Sequence, residues 1–84
     1  MEGRMPKTIY DDNYRELVAK LKTTRLRLNL TQTQAGKLVG RSRSWQSKVE
    51  TFELRLDVLG FVRLCRALGL EAWRLCRQLE KGLV

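Results

Sequence analysis

Gln32-Thr33-Gln34-Ala35-Gly36-Lys37-Leu38-Val39-Gly40-Arg41-Ser42-Arg43-Ser44-Trp45-Gln46-Ser47-Lys48-Val49-Glu50-Thr51 is the stretch that decides the fold. Two short helices are predicted in it, over 32–39 and 43–50, joined by Gly40-Arg41-Ser42. Thr31 precedes the first as N-cap, and Gln34 follows three residues later, which is the reciprocal capping-box pattern. Gly40 ends that helix, and Ser42 can cap the next. Two short helices joined by a three- or four-residue turn with a glycine form the helix-turn-helix arrangement. Positions 43, 44, 47 and 48 then face outward, and Val49 faces the core.

On the N-terminal side, Asp11 or Asp12 caps a helix over 12–28. Tyr14, Leu17, Val18, Leu21, Arg25 and Leu28 follow its 3.6-residue period. Asn29 stops it, since asparagine tolerates the left-handed conformation. On the C-terminal side, 52–56 reads as a loop. Asp57 caps a fourth helix with Val58, Phe61, Val62, Cys65 and Leu68 on one face, and Gly69 closes it. A fifth helix over 71–81 carries Ala72, Trp73, Cys76 and Leu79 on its apolar side. No strand alternation and no repeat is visible. The expected class is all-α: one five-helix domain over 11–81, a mobile arm over 1–10 and a tail over 82–84. The 84 residues leave room for a single core of modest stability, which dimerisation would assist.

The net charge of +8 is localised. Between positions 17 and 49 there is no acid, and Lys20, Lys22, Arg25, Arg27, Lys37, Arg41, Arg43 and Lys48 supply the whole excess. The rest of the chain has nine basic and nine acidic residues and is neutral. Such a surface is either a solvated basic face or a seat for a polyanion, whose condensed counterions are released as phosphates are neutralised. There is no histidine and no clustered acid pair, so no general acid–base constellation is visible and an enzyme is not expected. Cys65 and Cys76 form no C-x-x-C pair, which argues against zinc, and both read as reduced core cysteines. No metal, cofactor or membrane span is expected, and the start lacks an apolar leader, so a cytoplasmic location is anticipated.

The outward residues of the second motif helix have base-reading chemistry. Arg43 can pair bidentately with guanine O6 and N7, worth about 1–3 kcal/mol of discrimination. Ser44 and Ser47 can bond to bases or phosphates, and Lys48 to either. Thr31 and Gln32 begin the first motif helix, where a phosphate can be clasped. Further phosphate contacts are assigned to Arg41, Ser42, Thr51 and Arg55. Trp45 either meets a thymine methyl or sugar or covers the helix, and partial packing is favoured. The arm, with Arg4 and Lys7, either follows a DNA groove or is a disordered terminus, and the second reading is favoured.

Leu30-Thr31-Gln32 through Val39-Gly40-Arg41-Ser42-Arg43-Ser44-Trp45, then Ser47-Lys48-Val49-Glu50, resembles the XRE/Cro type of phage-repressor-like DNA-binding domains. Arg55-Leu56-Asp57-Val58 and Arg66-Ala67-Leu68-Gly69-Leu70 resemble that family's later helices. The resemblance implies a five-helix domain acting as a homodimer on a two-fold symmetric operator. It implies that Gln32 contacts phosphate and that Arg43, Ser44 and Lys48 read bases. It also implies an internal ion pair between Arg25 and Glu50. Three positions depart from the pattern. Gln46 stands where Ile or Val is normal, Ala35 where leucine is common, and Gly36 where alanine is usual. A glycine inside a helix costs about 1 kcal/mol relative to alanine. These departures would loosen the motif or shift its angle, with Leu38 filling core space in compensation.

The dimer surface is expected on the last helix: Leu70, Trp73, Leu75, Cys76, Leu79 and Leu83, with Val84, and Leu75 as the outermost. The leading reading is a sequence-specific regulator bound to double-stranded DNA, a repressor or autoregulator. The alternative is an adaptor with the same fold, an antitoxin or anti-activator, working through a protein partner.

Overall fold

The computed structural model describes residues 11–82. Five α-helices follow one another: α1 (Asp12–Arg27), α2 (Gln32–Leu38), α3 (Arg43–Glu50), α4 (Val58–Ala67) and α5 (Ala72–Gly82). There is no strand among the described residues. The arm, with Arg4 and Lys7, and Leu83 and Val84 lie outside them. Gly82, the first residue of the expected tail, belongs to α5.

The caps explain the boundaries. The Asp11 carboxylate accepts from the Asn13 and Tyr14 N–H groups and starts α1. Asn29, at φ 60°, turns the chain out of it. Thr31 and Gln34 form the full capping box: Gln34 N–H donates to Thr31 Oγ1 at 3.0 Å, and Thr31 N–H to Gln34 Oε1 at 2.8 Å. Ser42 Oγ accepts from Trp45 N–H at 3.1 Å, and Asp57 Oδ1 from Gly60 N–H at 2.6 Å. Each such cap contributes about 1 kcal/mol. Gly40 sits at φ 76°, where a Cβ would be strained. Phe52, at φ 65°, bears that strain at the end of α3. Its half-buried ring is covered by the Arg15 guanidinium, 4.5 Å from the centroid.

Two apolar clusters hold the helices together. Leu21, Val39, Phe61, Leu64, Cys65 and Leu68 form the larger, and Tyr14, Val18 and Val49 the smaller. Trp45 and Leu56 pack against both. Tyr14 is pinned at its polar end, where its hydroxyl accepts from Leu56 N–H at 2.9 Å.

Several burial expectations are corrected. Leu28 and Leu38 are exposed, so Leu38 does not fill the core. Val58, at the first position of α4, is 80% exposed, while Leu64, which the expected stripe omitted, is fully buried. The α5 stripe is rotated. Ala72 and Leu75 pack on the main cluster, whereas Trp73 is 58% exposed and Cys76 is exposed. Leu75 is therefore an inner residue, and Cys76 is not a core cysteine. The cause is the α1 surface. Leu75, Gln78 and Leu79 line a groove between α5 and α1 together with Asn13, Leu17 and Lys20, and Lys20 Nζ donates to Gln78 Oε1 at 2.5 Å.

Candidate nucleic-acid interface

α2 and α3 pack on each other through the turn at Gly40-Arg41-Ser42, and this packing presents α3. The turn is tight: Arg41 N–H donates to Gly36 O at 2.7 Å. A Cβ on Gly36 would lie 2.7 Å from Ser42 O and 3.1 Å from Arg41 O. These are backbone atoms that cannot swing away. Gly36 therefore does not loosen the motif; it allows the turn to close.

Arg43, Ser44 and Lys48 project from α3 and are exposed. Ser47 is half-buried, at the edge of this face. Arg41 and Ser42 are exposed in the turn, with the Arg41 guanidinium 5.5 Å from the Trp45 ring centroid. Trp45 is half-buried between the clusters, in keeping with partial packing. Thr51 and Arg55 are exposed beyond α3. The Thr51 hydroxyl is near Ser47 O at 3.0 Å and Glu53 Oε2 at 2.7 Å, so an acid adjoins that position. Thr31 is exposed at the start of α2, and Gln32 is half-buried beside it.

Behind this face lies a buried polar knot. Arg25 Nε donates to Glu50 Oε2 at 2.6 Å and Nη2 to Oε1 at 3.0 Å, a bidentate pair between α1 and α3. Arg25 Nη1 also donates to Leu30 O at 2.6 Å. Gln32 Nε2 donates to Glu50 Oε1 at 3.1 Å, and Gln46 Nε2 to Glu50 Oε2 at 2.8 Å. Burial works against the Glu50 carboxylate, but the hydrogen bonds from Arg25, Gln46 and Gln32 and the Arg25 charge outweigh it and hold its pKa below the ordinary value. The sequence alone does not pair either amide with Glu50. The four-residue spacing of Gln46 and Glu50 was the available signal for one of them.

Gln46 is only 1% exposed, as an aliphatic residue there would be. Its Oε1 is buried without a hydrogen-bond partner. An orphaned acceptor of this kind costs about 1–3 kcal/mol.

The helix-turn-helix domain family matches residues 16–75. Among solved structures, an XRE-family like protein from Pseudomonas syringae pv. tomato str. DC3000 matches with TM-score 0.79 and 36% identity, over 90% of this chain and 93% of that one. The chain belongs to the XRE-type helix-turn-helix family. No curated protein matches it. The family match runs from within α1 to within α5, so it includes the whole motif and the Arg25–Glu50 pair of this XRE-type domain. DNA binding is the activity of the domain type. Among the described residues, no group of three or more His, Cys, Asp or Glu could hold a metal, and no helix is long and apolar enough to cross a membrane.

Proposed function

We propose that this XRE-type domain is a sequence-specific transcriptional regulator, a dimeric repressor or autoregulator on a two-fold symmetric operator. The observation that carries this reading is the exposed row Arg43, Ser44 and Lys48 on α3, in a segment free of acids up to Glu50. Arg43, at the N-terminal end of α3, enters the major groove first and reads guanine. Ser44, Ser47 and Lys48 take neighbouring base edges. Thr31, Gln32, Arg41, Ser42, Thr51 and Arg55 hold phosphates on either side and set the register.

The dimer surface is drawn from the exposed α5 residues Trp73 and Cys76, with Val58 sharing a groove with Cys76. Such a dimer spaces its half-sites about 10–10.5 bp apart or a multiple of that.

A footprint on the DNA upstream of the protein's own gene tests the reading. Wild type protects one symmetric site, and the protection weakens steeply with salt. Arg43→Ala relaxes base choice, while Lys20→Ala or Lys37→Ala weakens binding evenly at most. No protected site, together with equal affinity for every duplex, would sink the regulator reading. A pull-down that recovers one stoichiometric protein instead of DNA would favour the adaptor.

A further inference from the structure

We propose that Gln46 is a positioning residue for the phosphate contact: by giving Glu50 a donor of its own, it frees the Gln32 amide to leave the carboxylate for a DNA phosphate. The proposal rests on the DNA-binding reading and adds a residue that faces away from the DNA.

The Glu50 carboxylate accepts four hydrogen bonds. Two come from Arg25, at 2.6 and 3.0 Å, one from Gln46 at 2.8 Å and one from Gln32 at 3.1 Å. Gln32 makes the longest of them. It is also the one donor of the set at the outer start of α2, beside exposed Thr31. Gln46 is sealed in, so its bond to Glu50 is not available to solvent or DNA. When Gln32 turns outward, Glu50 keeps both Arg25 bonds and the Gln46 bond, so three donors remain on a buried carboxylate. With an aliphatic side chain at position 46, only Arg25 would remain, and Glu50 would hold Gln32 more firmly. This also gives a reason for a buried amide with an unpartnered Oε1: its donor is needed, and its acceptor comes with it.

The test is a double-mutant cycle on the full chain with a duplex carrying the footprinted operator. Gln46→Met keeps the volume and removes the donor. In the wild-type background it lowers operator affinity about three- to tenfold. With Gln32→Ala already present, it lowers affinity less than about twofold, because no amide is left to release. Equal losses in the two backgrounds mean a purely structural role and overturn the proposal, as does no loss in either.

Side-chain amide NMR of the wild-type protein gives a second reading, and it decides if Gln46→Met fails to fold. On adding the duplex, the Gln32 Nε2 signals shift to a new bound position while the Gln46 signals remain those of a buried amide. Unchanged Gln32 signals at saturation overturn the proposal. No binding of any duplex by wild type overturns it together with its parent reading. Operator binding with additive losses overturns it alone.

Discussion

Gly36 shows how one residue reverses a local rule. Helix propensity alone says that Gly36→Ala gains about 1 kcal/mol. The Ser42 carbonyl oxygen, 2.7 Å from where the new Cβ would sit, says the opposite. Gly36→Ala is expected to destabilise the domain by about 1–3 kcal/mol, the usual cost of forced overpacking. A urea unfolding midpoint at or above that of wild type would refute this. Glu50 gives a prediction with a sign. Its folded pKa is depressed, so its contribution is fully present above the unfolded value, near 4.3 for a glutamate, and is lost as pH falls through the lower folded value. Thermal melts of wild type and Glu50→Gln should therefore differ most at neutral pH and converge at acid pH. A constant gap down to about pH 2 would contradict the depressed pKa. The Arg25–Glu50 pair followed from a resemblance. Its two amide partners did not, because hydrogen-bond choice inside the motif depends on how α2 and α3 close on each other.

Helix by helix, α1, α2, α3, α4 and α5 were legible to within one residue, and Asp11, Thr31, Ser42 and Asp57 cap the first four locally. The face of α5 was not legible. Trp73 and Cys76 lie on one side of it and Leu75 and Leu79 on the next, and both sides carry enough apolar surface to be the core stripe. In the folded domain Leu75 and Leu79 are the half-buried ones, and Leu75 packs on the main cluster. Thiol labelling checks this phase. Cys76 is exposed, whereas Cys65 is fully buried, and burial, then neighbouring Cys76, pushes its thiol up to about 11. One equivalent of a thiol reagent should react with the native protein at neutral pH and a second only after denaturation. Two fast equivalents in the native state would mean that the cluster around Cys65 is not closed.

At the scale of the whole molecule, the question is where the apolar surface left over by folding goes. Val58, Leu59 and Trp73 are large and exposed in a domain with two small clusters. Burying Trp73 between two copies would add apolar burial to a core of this small size. Light scattering should give a dimer mass, and Trp73→Lys should raise the dimer dissociation constant about tenfold or more with little change in the monomer's fold. A dimer unaffected by Trp73→Lys would move the interface off α5. The element order, the caps, the turn at Gly40 and the acid-free basic segment were all determined by the sequence itself, because each depends on residues within a few positions of one another. The buried side of α5, the need for glycine at 36 and the partners of Gln46 and Gln32 were decided only by the tertiary structure. Each depends on atoms that other helices bring within contact distance, and periodicity along one helix carries no information about them.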